Sequence, residues 1–243
     1  MKLAIFAHDK VGFAATSYIL EHYPEDVLIL VVTSQNEIFD LGRKYNARCV
    51  IFESEAQIAA EIDSGVDLGV CVWWPKIIKK RLIDIPKHGF INTHPSYLPY
   101  ARGKHYNFWT LVEQVPFGVT IHRIDEGIDT GDILVQKVVP YDWTDTGETL
   151  YFKAQSAMIE LFKECYPELR SGRLSARPQP PTGGSFHHSS ELELASWVDL
   201  NKTYVASDLL NHLRARTFRG YPGCRFESQG QTYQIEINIK KVE

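Results

Sequence analysis

Over its first ninety or so residues the chain alternates short apolar runs with longer stretches of helical spacing, and few folds accept that alternation. The β-type runs fall at 3–7, 27–33, 49–52, 68–73 and 90–93, and helical spacing fills about 12–22, 36–46, 55–63 and 76–82 between them. Several runs place apolar residues at consecutive positions, as strands covered on both faces do. The pattern therefore predicts an α/β fold: a Rossmann-like, mostly parallel sheet with helices on both faces. The turn after the first run reads His8-Asp9-Lys10-Val11-Gly12, with one glycine where a dinucleotide site reads GxGxxG, which argues against a nicotinamide cofactor.

Further along, a helix is expected from about 103 to 113, two β-type runs at 119–124 and 133–139 joined by an Asp- and Gly-rich segment, and a helix over 147–170. The stretch 171–190 then gathers Pro178, Pro180, Pro181, Gly183, Gly184 and several serines, a composition that resists regular structure and predicts a surface linker. The expected organisation is a catalytic domain over 1–175, a linker over 176–192 and a small appendage over 193–243. The appendage reads as one amphipathic helix, with Val205, Leu209, Leu210 and Leu213 on one face, followed by a β-hairpin. Its strands are expected at 224–227 and 232–239, turning at 228–231, with Tyr233, Ile235, Ile237 and Ile239 on one face. A fragment that small cannot bury such a face alone, so it folds back on the main domain or pairs with a second chain.

Composition narrows the function classes. Lys and Arg total 26 against 30 Asp and Glu, a formal net charge of -4, which argues against a surface built for nucleic acid or membrane. The run 3–7 is too short for a signal peptide, and nothing later approaches the roughly 18 apolar residues of a spanning helix, so a cytoplasmic protein is expected. Cys49, Cys71, Cys165 and Cys224 are widely spaced and signal neither a disulfide framework nor a thiolate zinc site.

The chemically loaded stretch lies at 90–99, where strand alternation puts Asn92 and His94 on one face at the carboxyl end of a strand, the edge at which open α/β sheets bind ligands. A carboxamide and an imidazole there supply a hydrogen-bond donor and a proton carrier. An isolated NxH is more often a capped strand end. The acidic residues Asp125, Asp129 and Asp132 with His94 and His122 could instead hold a metal, although Asp is common in Gly-rich turns for backbone reasons. His187 and His188 fall in the linker and read as solvated, as does Lys79-Lys80-Arg81. Trp73 and Trp74 read either as core aromatics or as part of a ring-binding wall.

Taken together, a strand, NxHPSxLPxxRG, a helix, GVTxH and a loop ending in DTGDI resemble the folate-dependent formyltransferases, which include glycinamide ribonucleotide, methionyl-tRNA and sugar N-formyltransferases. The resemblance covers most of residues 65–140 and continues more weakly on both sides. It implies a catalytic trio of Asn92, His94 and Asp129, with N10-formyltetrahydrofolate as cosubstrate and no metal. It also implies a folate pocket from Trp74, Pro75, Lys76, Ile77 and Ile83 together with Ile124, Asp125, Glu126, Gly127 and Ile128. The chemistry suits the trio: Asn92 can donate to an oxyanion, His94 can carry the proton, and the Asp129 carboxylate can orient it.

Within the family, the first turn lacks the Gly-Ser-Asn of the glycinamide ribonucleotide enzymes, and the residues after the linker are too few for the basic domain of the methionyl-tRNA enzymes. The run PSYLPYARGK followed by YNFW resembles the short sugar enzymes. The implied acceptor is a nucleotide-linked amino sugar, dTDP-4-amino-4,6-dideoxyglucose, serving surface polysaccharide (O-antigen, lipopolysaccharide) synthesis. Methionyl-tRNA or another acceptor, and a non-catalytic Rossmann-like binding module, stay as alternatives. Lys10, Lys76, Arg102 and Lys104 are the candidates for holding its diphosphate, with Tyr97 beside them, and Phe218 and Tyr221 the candidates for stacking on its base. The family's habit of dimerising through C-terminal strands favours a homodimer.

Overall fold

The structure, a computed structural model, describes residues 1–62 and 65–242. β1 (Leu3–Ala7) and β4 (Leu68–Val72) are buried at every position, the mark of central strands with both faces covered. β2 (Val27–Val32) and β3 (Cys49–Ile51) extend the sheet on one side, and β5 (Phe90–His94), β7 (Gly118–Arg123) and β8 (Ile133–Val138) on the other, in the order β3-β2-β1-β4-β5-β7-β8. The two-residue β6 (Arg102–Gly103) lies outside this sheet. Strands β1 to β5 are parallel, whereas β7 runs antiparallel to β5. The fold class is the one that the alternation predicts.

Local chemistry sets the helix starts. Asn36 accepts from the amides of Ile38 and Phe39, both at 3.1 Å, and opens α2 (Glu37–Lys44); Ser54 accepts from Gln57 at 3.2 Å and opens α3 (Glu55–Glu61). The expected end of that helix at 63 lies outside the described residues. Helix α1 (Asp9–His22) begins earlier than its apolar spacing suggests, and Gly12 is inside it: a Cβ there would stand 3.0 Å from the Ala7 carbonyl carbon, so a larger residue would push α1 slightly off β1. The helix expected at 76–82 is corrected to a single turn, α4 (Lys80–Ile83). Lys79, its amide donated to the Glu55 carboxylate at 2.9 Å, is extended (φ -92°, ψ 164°), and the helix begins only after it.

Two units form in the contact pattern, each discontinuous in sequence. The first comprises Met1–His94, Val119–Lys137 and Gln155–Gln179; the second comprises Pro95–Gly118, Val138–Ala154 and Pro180–Glu243. The core of the first includes Phe6, Ile29, Val31, Leu82 and Phe90, with Phe6 edge-on to Phe90 at 5.3 Å. Helix α6 (Gly147–Arg170) ends the 138–154 segment and begins the 155–179 segment, and it matches its predicted span.

The second unit contains α5 (Tyr106–Glu113), β6, β9 (Phe186–His187), α7 (Glu191–Ala195), α8 (Ala206–Arg216) and a hairpin of β10 (Cys224–Ser228) and β11 (Gln231–Ile235). Gln229 and Gly230 both have positive φ, 50° and 71°, the conformation of a two-residue turn that follows the strand twist. The second hairpin strand is shorter than expected and stops at Ile235, before Ile237 and Ile239. Phe226, Ile235 and Ile237 cover a cluster of Val198, Leu213 and Cys224, with Leu209 beside them. The predicted apolar face of α8 splits: Leu213 is buried, while Val205 and Leu210 are exposed.

The linker expectation also needs correcting at two places. Arg177 pairs with Ile133 in the first unit, and Phe186–His187 pairs in parallel with Arg102–Gly103 in the second. His187 is not solvated. Its ring stacks flat on Trp109, with centroids 3.6 Å apart, and its two nitrogens face Glu113 at 2.7 Å and Glu191 at 2.9 Å. Backbone pairing and ring stacking outweigh a composition that taken alone favours disorder.

Candidate active site

Strand register assembles the site. β5 and β7 pair so that Asn92 lies opposite His122 and His94 opposite Thr120, and directly paired residues share a face of the sheet. Asn92 Nδ2 lies 3.4 Å from His122 Nε2. His122 Nδ1 is 2.8 Å from the Arg123 carbonyl, which can only accept, so Nδ1 carries the hydrogen and a neutral His122 turns its Nε2 lone pair toward Asn92.

Asp129 arrives from the loop between β7 and β8. Asp125 Oδ1 accepts from the Gly127 amide at 3.1 Å and the Thr130 hydroxyl at 2.7 Å, folding the loop on itself. Gly131 passes so close to the Arg123 carbonyl that any side chain would collide with it. Asp129 has φ 55°, a left-handed conformation uncommon for a non-glycine residue and typical of functional loops. Its Oδ2 lies 3.3 Å from His94 Nδ1; its Oδ1 lies 3.5 Å from His122 Nε2 and accepts from Asn92 Nδ2 at 3.4 Å. His94, His122 and Asp129 side chains are 5%, 2% and 12% exposed, so this carboxylate has little water to share its charge with. The predicted trio is thus one cluster in the first unit.

The residues predicted for the folate pocket lie in that unit too. Trp74, Ile83 and Ile124 pack on the core cluster containing Phe6 and Phe90, and the Lys80 ammonium pairs with Glu126 at 3.4 Å, joining the 74–83 segment to the 124–128 loop. Ile77 and Ile128 are 70% and 43% exposed, Pro75 is exposed, and the Lys76 ammonium sits 4.7 Å from the Phe52 ring centroid. Trp74, half-buried, stands edge-on to Phe6 and Phe52.

The acceptor candidates divide. Lys10 and Lys76 belong to the first unit and are exposed. Tyr97, Arg102, Lys104, Phe218 and Tyr221 belong to the second. Arg102 donates through Nε to the Ser185 carbonyl at 3.2 Å, so part of its guanidinium is committed locally; Lys104 is exposed. Phe218 joins Tyr151, Phe152 and Tyr221 in a cluster with ring centroids 5.2 to 6.4 Å apart. Among the described residues, no group of three or more His, Cys, Asp or Glu could hold a metal ion, and no helix is long and apolar enough to cross a membrane.

Two members of the site carry little sequence signal. His122 stands in the GVTxH segment, but only the β5–β7 register turns it toward Asn92. Gln179, whose Nε2 donates to the carbonyls of Asp129 and Gly131, stands between two prolines in the Pro- and Gly-rich stretch.

Fold and site together define an open α/β protein with a carboxamide, two imidazoles and one carboxylate gathered at the carboxyl edge of its sheet. The chain belongs to the formyl transferase family: residues 1–165 match the model described as "Formyl transferase", and residues 191–241 match "N-formyltransferase dimerization C-terminal domain". It is 34% identical over 174 residues to a methionyl-tRNA formyltransferase of Geobacillus thermodenitrificans, covering 70% of this chain and 52% of that protein. The chain spans about half the length of the first such relatives. It is 30% identical over 186 residues to a dTDP-4-amino-4,6-dideoxyglucose formyltransferase of Mycobacterium tuberculosis, covering 76% and 78% of the two chains. Among solved structures, a sugar N-formyltransferase from a Shewanella species has the same fold, with a TM-score of 0.83 at 21% identity over 100% and 99% of the chains. A formyltransferase from Anoxybacillus kamchatkensis, in complex with UDP-4,6-dideoxy-4-formamido-L-AltNAc and tetrahydrofolate, is 28% identical with a TM-score of 0.60 over 88% and 98%.

Proposed function

We propose that this chain is a folate-dependent N-formyltransferase acting on the amino group of a nucleotide-linked amino sugar, with dTDP-4-amino-4,6-dideoxyglucose as the acceptor to test first. The observation that carries the reading is the Asp129 carboxylate shared by His94 and Asn92 at the sheet edge. Bound N10-formyltetrahydrofolate supplies an electrophilic formyl carbon. His94, held through Nδ1 by Asp129, takes the proton that the attacking amine loses and returns it to the departing nitrogen, so the C–N bond made and the C–N bond broken balance. Asn92 Nδ2 is the donor for the oxyanion that develops. Its present bonds, both 3.4 Å long, are weak enough for a charged oxygen to displace.

The first unit fits the folate. Exposed Pro75, Ile77 and Ile128 offer apolar surface to a flat ring, and the Lys80–Glu126 pair keeps their two segments together. The Asp125 side chain is turned into its own loop and has already taken the Gly127 amide, so main-chain groups of the remaining loop residues are left to read a polar ring edge.

The relatives that carry nucleotide sugars in their names support an acceptor of that class; in the second unit Phe218 and Tyr221 suit a stacked base and Arg102 and Lys104 a diphosphate, and Lys10 and Lys76 of the first unit are cation candidates to be tested on their own. The same reading includes a homodimer, a cytoplasmic location and a place in surface-polysaccharide (O-antigen) synthesis. To test it, the purified chain is incubated with N10-formyltetrahydrofolate and a panel of dTDP- and UDP-linked amino sugars, free amino sugars and methionyl-tRNA. Formylation confined to nucleotide sugars is the expected result. Formylation of methionyl-tRNA alone, or of nothing, would remove the sugar reading. Arg102→Ala and Lys76→Ala should raise KM for the nucleotide sugar and leave free-sugar turnover unchanged.

A further inference from the structure

Gln179 belongs to a stretch whose prolines and glycines predict irregular chain, yet its side chain is committed. Nε2 donates to the carbonyls of Asp129 and Gly131, each at 2.8 Å. The reversed amide would set Oε1 against two carbonyl oxygens, so the chemistry itself decides which atom faces the loop. Oε1 is left buried with no partner among the described residues. An unpaired buried acceptor is costly, and a side chain that tolerates it is held there by the two bonds it makes.

Backbone pairing puts the amide in place. Ile133 donates to the Arg177 carbonyl at 2.8 Å and Arg177 to the Ile133 carbonyl at 2.9 Å, and an antiparallel pair at 177 and 133 carries residue 179 toward 131. Arg177 Nη2 donates to Gln136 Oε1 at 2.7 Å, and Gln136 Nε2 to the Thr120 hydroxyl at 3.0 Å, so the segment is anchored to β7 as well as β8. The two carbonyls that Gln179 holds flank Thr130, at the point where Asp129 takes its left-handed φ. A non-glycine residue stays in that region only where its surroundings over-determine it.

We infer that Gln179 is a positioning residue for Asp129: by gripping the carbonyls of Asp129 and Gly131 it fixes the backbone from which the carboxylate reaches His94. Gln179 bonds to main chain alone and takes no part in proton transfer. The inference rests on Asp129 belonging to the trio of the proposed transferase.

Gln179→Met keeps the length of the side chain and removes both donors, Gln179→Glu sets a carboxylate against the two carbonyls, and Gln179→Asn returns an amide on a shorter stem. In the full chain, with N10-formyltetrahydrofolate and dTDP-4-amino-4,6-dideoxyglucose, Gln179→Met should lower kcat roughly ten- to a hundredfold with both KM values within about twofold, the scale of a displaced catalytic group. Gln179→Glu should lose at least as much and Gln179→Asn less. Hydrogen exchange should quicken over residues 125–133 and stay unchanged in β1 and β4, at an unchanged melting temperature. A kcat within about twofold of the parent overturns the inference, since a lost clamp should cost more than that. So does a loss accompanied by faster exchange across the whole sheet and a lower melting temperature, which marks a general structural role. If the parent chain formylates no acceptor, the proposed function falls. The exchange comparison then still decides the clamp: loosening confined to 125–133 supports it and unaltered exchange overturns it.

Discussion

His94 and Asp129 face each other across 3.3 Å, Nδ1 to Oδ2, and the same carboxylate reaches a second imidazole, His122, at 3.5 Å through its other oxygen. One carboxylate therefore faces two imidazoles of different standing. His122 is tied through Nδ1 to a main-chain carbonyl and buried among strands, whereas His94 ends β5 at the carboxyl edge, the edge at which open α/β sheets bind ligands.

The division of labour predicts the outcome of substitution. His94→Asn and Asp129→Asn should each lower kcat by roughly two to four orders of magnitude, the worth of a lost acid/base group, with little change in KM or in thermal stability. Steady-state rates beside a melting curve check this. Near-normal turnover of His94→Asn at saturating amino sugar would remove proton transfer from its role.

Acid stability should depend on Asp26. The side chain is 1% exposed; burial alone would push its carboxyl up, but hydrogen bonds from Arg170 at 2.7 Å and Tyr166 at 2.8 Å outweigh burial and hold it below the ordinary carboxylate range. A lowered folded value stabilises the fold above the unfolded value of about 4, and that contribution is lost as pH falls through the folded value. Asp26→Asn should cost about 3 kcal/mol near neutrality and melt with a flatter acid dependence below about pH 4. Parallel melting curves for the two proteins from pH 7 to 3 would contradict the assignment.

His187 should hold the 184–188 segment in place. Replacing it by Ala removes the stack on Trp109 and the contacts to Glu113 and Glu191, a loss of about 1–3 kcal/mol by the usual worth of such contacts. Unfolding by urea would measure the loss, and hydrogen exchange would locate it in β9. A stability equal to the parent's would mean that the strap is held by its backbone pairing alone.

If the proposed homodimer pairs through the hairpin, deleting residues 224–243 should uncover Val198 and Leu213 and give a monomer or an aggregate. Val205, Leu210 and Tyr233, exposed at 65%, 41% and 43%, are the apolar surface that a second chain would cover. Light scattering after size exclusion reads the mass, and an unchanged mass would place the interface elsewhere.

The sheet was legible in the sequence because its information is local. A strand covered on both faces must be apolar at successive positions, and 3–7 and 68–72 are. Asn92 and His94 could be placed at a strand end by alternation, and the DTG turn marks Asp129 through a motif. What periodicity cannot carry is register between distant segments. The facing of Asn92 and His122 depends on how β7 pairs with β5, and a slip of one residue would have turned His122 to the opposite face. The same limit hides Gln179 and His187 in a stretch whose prolines and glycines speak of disorder: composition reports the conformations a chain prefers when alone. The pairing of Arg177 with Ile133 and of Phe186 with Arg102 is decided by groups far along the chain, whose hydrogen bonds and ring contacts exist only once the tertiary structure has closed.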